Sequence, residues 1–182
     1  MPDVILGSDV ARSLAGPFLG ACALLAIAGA GKAVRPAPAR AAIRAAGLYV
    51  PRSAVVGFGL VELGVGGAGA LLGGRVAFVV AGCYLLLTVF ALRLLVRAPT
   101  APCACLGSTK AVVTRTHVAI DLAAVGVAIA SASAGPPFAL LAGRWLAGGV
   151  FVALVGCCVK LAVLALEELP NLAAAERGAT PT

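Results

Sequence analysis

Residues Cys103, Ala104, Cys105, Leu106 and Gly107 form a Cys-x-Cys-x-Gly turn between two long apolar runs. Pro99, Pro102 and Gly107 keep both thiols on a turn rather than in a helix. A disulfide across one intervening residue closes a tight ring, and departures from relaxed geometry make such a bond easier to reduce. Arg97 and Lys110 close by favour the thiolate, which is the attacking form. The chemistry this predicts is thiol–disulfide exchange at Cys103 and Cys105, with the attacking partner left open. A soft-metal reading competes, because Cys-x-Cys with His117 could bind Cu(I) or Zn(II). Zinc sites usually want four ligands at wider spacing, and no fourth is evident, so the sequence implies no metal and no cofactor. His117, the only histidine, sits two residues past Arg115. It reads as a polar residue at a helix start, with proton acceptance from the thiols as its other role.

The remaining cysteines read differently. Cys22, Cys83, Cys157 and Cys158 fall inside apolar runs and are expected to be small buried hydrophobes. Neighbouring residues point to different sides of a helix, so no bond is expected between Cys157 and Cys158.

Composition says what must hold the turn. Hydrophobic residues make up 62% and charged residues 12% of the 182 residues, against roughly 45–50% and about 25% in a soluble domain. With a mean hydropathy of +1.08, this is one integral membrane domain and not a soluble core. Aromatics are few and Ala and Gly abound, so helices should approach closely through small residues, with Gly16-x-x-x-Gly20 and Gly69-x-x-x-Gly73 as candidate contacts.

The spans follow from the charges that bound them, since a crossing needs about 20 apolar residues. Five are expected, at about 13–31, 53–74, 76–96, 115–134 and 138–166. This is an all-α membrane bundle of four core helices plus a fifth, flanked by residues 1–12 and a polar tail, 167–182. Gly135-Pro136-Pro137 ends the fourth span. The fifth must let Arg144 and Lys160 snorkel. Asp3 and Asp9 precede the first apolar run and no basic region leads it, so that span reads as an uncleaved anchor. The tail beyond Pro170 is expected to be disordered.

Orientation follows from Lys and Arg. The loop from Lys32 to Arg52 and the cysteine-bearing connection share a side and carry nine basic residues, against three opposite (Arg12, Arg75 and Arg144). The positive-inside rule places both loops, and the thiols, at the cytoplasmic face of a bacterial cell membrane. The net charge of +7 needs no nucleic acid, because loop bias against anionic lipid explains it.

Three ionisable residues lie within spans. Counting 1.5 Å per residue, Asp121 and Lys160 fall about 9 Å from their span ends and Glu62 about 15 Å, all at mid-depth or nearer the cysteine face. Charges in lipid are costly and usually face the bundle interior in pairs. The expectation is an internal Glu62–Lys or Asp121–Lys bridge locking the helices, with a proton relay beside the thiols as the alternative.

The pattern resembles the MauE branch of the MauE/DoxX-like membrane proteins. The resemblance rests on Ala30-Gly31-Lys32 at the end of the first span and a basic, Pro-containing loop closing at Pro51. It continues with Val61-Glu62-Leu63 in a Gly-rich second span and Pro102 to Gly107 after the third. Leu106 departs mildly from the Phe usual in the family's Cys-x-Cys-Phe-Gly, and the match covers about residues 13 to 134. The resemblance implies thiol–disulfide handling, as an oxidoreductase or accessory protein, during maturation of an exported disulfide-containing client. A thioredoxin-like protein would be the partner, and methylamine dehydrogenase small subunit the client in the family's namesake pathway. Cys103 and Cys105 would carry the chemistry, supported by Gly107, Lys32, Glu62, Asp121 and His117. An exported client needs thiols reachable from the outer face, which pulls against the charge count. A scaffold subunit of a membrane redox complex is the remaining class, separable from a redox protein by whether Ser is tolerated at both cysteines.

Overall fold

Glycine sets the closest approach in the bundle. Helix α1 (Pro2–Val34) and helix α3 (Arg52–Leu72) form the most intimate pair, and the buried residues of α3 explain it: Val55, Gly59, Glu62, Gly66 and Gly69 recur every three or four positions on one face. A Cβ on Gly59 would stand 2.6 Å from the Gly29 carbonyl oxygen, and one on Gly66 would stand 2.6 Å from that of Cys22. The two backbones therefore touch, as small residues at helix interfaces allow.

The computed structural model describes residues 2–101, 112–133, 135–137 and 145–178. Among these the chain is an all-α membrane protein whose further helices are α2 (Pro36–Ala45), α4 (Val76–Arg97), α5 (Arg115–Ser131) and α6 (Trp145–Gly178). Among the described residues, three stretches are long and apolar enough to cross a bilayer: Ser13–Val34, Arg52–Leu72 and Val76–Arg97. Helix α5, with 17 residues, reaches about 25 Å against a hydrocarbon core of about 30 Å. The apolar part of α6, Gly148–Leu164, is similarly short.

Local signals place the breaks. Arg35, the residue before Pro36, leaves helical geometry at φ −127° and ψ 74°, as a following proline demands. Pro36 then opens α2 at a position that needs no N–H. At its other end Gly47 takes φ 77°. The N–H of Leu48 reaches the Ile43 carbonyl at 3.0 Å and that of Gly47 reaches Arg44 at 2.9 Å, which is the Schellman closure. Gly73 (φ 57°) and Gly74 (φ 53°) turn α3 directly into α4.

The core joins α1, α4 and α5. Phe18, Cys22 and Leu25 meet Val80, Tyr84 and Leu87, with Ala124 and Ala128 closing the third side. Tyr84 donates its hydroxyl to the Ala21 carbonyl at 2.6 Å, tying α4 to α1. A second cluster, Ala42, Ala46, Ala91, Leu94 and Val113, packs α2 against the end of α4 and the approach to α5. Large apolar residues such as Leu60, Leu71, Phe78, Leu85, Val89, Leu122 and Leu154 remain exposed around the outside. Acyl chains would cover such a belt.

Several expectations are corrected. Of the two candidate glycine pairs, Gly69 and Gly73 do stand at close contacts, whereas Gly16 meets only the Phe151 ring at 3.5 Å and Gly20 meets nothing within 4 Å; the α1–α3 approach is made by Gly29, Gly59 and Gly66. The basic loop contains a helix, α2. The chain beyond Pro170 is helical to Gly178, because Leu172 to Arg177 are mostly strong helix formers and proline removes one hydrogen bond. Helix α6 packs on α1 alone among the described helices that it touches substantially. It buries Gly148 and Val159 on that side, leaving Cys157, Cys158 and Lys160 exposed rather than in the bundle interior. Cys22 is fully buried as expected, and Cys83 is half-buried.

Candidate functional site

The expected internal bridge exists, and its cation is Lys32. The Lys32 Nζ donates to Glu62 Oε2 at 2.7 Å, with side-chain exposures of 7% and 0%. Its ammonium also lies 3.5 Å from the Ala28 carbonyl oxygen and 5.9 Å from the centre of the Phe58 ring. Each charge owes its position to a glycine on the opposite helix. Gly29 faces the Glu62 Cβ, and Gly59 faces the Lys32 Cβ, so each stem crosses the other helix where no side chain stands. Glu62 Oε1 is buried with no hydrogen-bond partner in the described structure. Asp121, half-buried on α5, feels the charges of both Lys32 and Glu62. Lys32 and Glu62 therefore meet on the α1–α3 seam, with Asp121 of the neighbouring α5 within their electrostatic reach, and Lys160 is not among them.

His117 caps α5. The backbone N–H of Thr114 donates to His117 Nδ1 at 3.3 Å, and the Thr114 Oγ1 lies 2.8 Å from the same nitrogen. The imidazole occupies the place Glu or Gln takes in the usual capping box. It is buried, with 7% exposure. One ring nitrogen is thus committed to the helix start, in keeping with the polar-residue reading. Among the described residues no group of three His, Cys, Asp or Glu side chains is placed to hold a metal ion.

Cys103, Cys105 and Gly107 lie outside the described residues, as does Lys110. The stem of their connection is described. The Val113 N–H donates to the Ala101 carbonyl at 3.3 Å, so the chain leaves α4 and returns to α5 at one point. Cys103 follows Ala101 by two residues. Beneath the stem, Arg93 Nε donates to the Ala46 carbonyl at 3.0 Å, and Arg97 reaches over Gly47. Both guanidinium groups thus meet the C-terminal end of α2, where a helix dipole favours cations. This was missed by residue-level reading, which saw Arg97 only as a neighbour of the thiols. The Schellman signature at Gly47 and Pro36 at the helix start were the available signals.

The described part supplies the base from which the cysteine-bearing connection departs. It gathers a buried charge cluster at the base of the α1–α3 pair, with a pinned stem at the same end as the basic loop. Comparison with known proteins adds one match: the family described as methylamine utilisation protein MauE matches residues 11–135, well over half of the chain. No curated protein and no solved structure matches the chain.

Proposed function

This chain belongs to the MauE family and is a membrane protein linked to methylamine utilisation, and from that premise we propose that it is a thiol–disulfide redox protein acting through Cys103 and Cys105. The two cysteines alternate between dithiol and disulfide. Exchange with a thioredoxin-like partner passes through a mixed disulfide: a thiolate attacks a disulfide sulfur, one S–S bond forms as another breaks, and the leaving sulfur departs as thiolate. Two electrons and two protons pass from the pair that is oxidised to the pair that is reduced. The client is an exported disulfide-containing protein, with methylamine dehydrogenase in the namesake pathway. Lys32, Glu62 and Asp121 act as structural supports, His117 orders the start of α5, and Gly107 completes the turn.

The observation that supports this reading best is the pinned stem. The Ala101–Val113 bond, with Arg93 and Arg97 drawn to the end of α2, joins the two ends from which the cysteine-bearing connection departs. A labile disulfide needs accessible sulfurs. The nine-to-three distribution of basic residues supports the cytoplasmic face for that end.

Cys103→Ser or Cys105→Ser should each abolish client maturation with membrane levels unchanged, and one single variant should trap a partner in a reducible higher-mass band. Full maturation in the double Ser variant would instead establish a scaffold. Labelling by an impermeant maleimide in intact cells, with the other four cysteines removed, would reverse the orientation.

A further inference from the structure

A cavity of about 370 Å³ opens between α2, α3 and α4, lined chiefly by apolar side chains. Phe58 contributes a ring from α3 and Phe90 one from α4. Leu86 and Val89, both more than half exposed, stand at its lipid-facing side. Two polar side chains enter the wall, Lys32 and Arg93. Both are hydrogen-bond donors with no acceptor atom; Lys32 is engaged with Glu62 and the Ala28 carbonyl and Arg93 donates through Nε to Ala46, so a ligand that matches the Arg93 guanidinium carries acceptor oxygens. Because Glu62 already balances Lys32 at 2.7 Å, the ligand needs no full negative charge there. A flat ring with carbonyl oxygens, carried on an apolar tail that enters from the bilayer, meets all these conditions. The volume is also within the range usual for small-molecule sites, roughly 300–1,000 Å³.

We propose that this cavity binds a lipid-soluble quinone. Its ring would lie against Phe58 and Phe90, a carbonyl oxygen would accept from the terminal nitrogens of Arg93 beside the paired Lys32, and its tail would leave past Leu86 and Val89. The position suits an electron acceptor for the thiols, a role that rests on the redox reading above. Phe90 packs against the cluster that holds Val113, and so does Ala101, the residue bonded to Val113 at the stem. One side chain thus connects the cavity to the base of the cysteine connection. In the coupled step both S–H bonds break and one S–S bond forms. The quinone gains two electrons and two protons and becomes the hydroquinone, leaving the protein oxidised towards its partner.

The test uses the full chain in phosphatidylcholine nanodiscs, with an azido-quinone as photoreactive probe and decyl-ubiquinone as competitor. Saturable labelling within residues 54–58 or 86–93, displaced by the competitor, is expected. Val89→Trp and Leu86→Trp fill the mouth from exposed positions and should weaken labelling about tenfold or more, with size-exclusion profiles confirming folded protein. Non-saturable labelling, or labelling indifferent to both Trp variants, overturns the proposal. Displacement by phosphatidylglycerol but not by the quinone also overturns it and identifies an anionic-lipid groove. The Cys103→Ser/Cys105→Ser variant separates the two readings, since it should retain labelling and lose dithiothreitol-independent quinol formation with reduced thioredoxin. Quinol formed equally well without the cysteines would remove the thiols from the path and leave the cavity in place. Thiol cycling without labelling would do the reverse.

Discussion

Gly59→Ala and Gly64→Ala place the same methyl group on the same helix, and the structure predicts opposite outcomes. A Cβ on Gly64 meets nothing within 4 Å. Alanine there gains helix propensity of roughly 0.5–1 kcal/mol over glycine. A Cβ on Gly59 stands 2.6 Å from the Gly29 carbonyl oxygen, 2.9 Å from the Ala33 nitrogen and 3.0 Å from the Lys32 Cβ. Two of those atoms are backbone, so no rotamer change relieves the clash. Reaching ordinary contact at 3.4 Å requires α1 and α3 to separate by about 0.8 Å. A uniform separation of that size stretches the 2.7 Å Lys32–Glu62 contact to about 3.5 Å, past a good charge-assisted hydrogen bond. Overpacking of this kind costs roughly 1–3 kcal/mol, a shift of about 5- to 150-fold in the folding equilibrium. Unfolding in mixed dodecyl maltoside and sodium dodecyl sulfate micelles, followed by helical circular dichroism, reads both variants against the parent. If Gly59→Ala proves as stable as Gly64→Ala, the backbones do not touch and the account of the α1–α3 interface is wrong.

Two other outcomes follow from the same contacts. Lys32→Met alone leaves Glu62 buried without its cation and should cost about 3–5 kcal/mol, while Lys32→Met combined with Glu62→Met should recover most of that stability. A double variant no better than the single one would show that the pair is not a closed unit. Tyr84→Phe removes the 2.6 Å bond to the Ala21 carbonyl and should cost about 1 kcal/mol in the same assay; an unchanged midpoint would show that this bond does not help to hold α4 to α1.

Much of the site was legible because charge in lipid is conspicuous. Glu62 within an apolar run demands a partner, and the bridge to a lysine followed from that alone. Span counting alone did not choose between Lys32 and Lys160, although Lys32 and Glu62 were expected to hold the first two spans together. Lys32 sits at the end of a span, where a side chain can either snorkel outward or turn inward, and span counting gives no reason to prefer one. Gly29 and Gly59 decide it, since their missing side chains let the stems of Lys32 and Glu62 cross. Lys160 was excluded for a matching reason: α6 touches the bundle along one narrow stripe, and residue 160 lies off it.

The sequence by itself determined the class, the all-α character, the position of the thiols between two apolar runs, and the family. Each depends on composition or on residues adjacent in the chain, such as the run from Pro102 to Gly107. Only the tertiary structure decided which glycines are contacts and which are spacers. Small-x-x-x-small patterns are abundant in an Ala/Gly-rich chain, and helix rotation selects one face: Gly59 and Gly66 point at α1, while Gly64 and Gly67 meet nothing. The cavity was equally invisible, because Lys32, Phe58 and Arg93 belong to three helices whose spacing along the chain carries no record of their convergence.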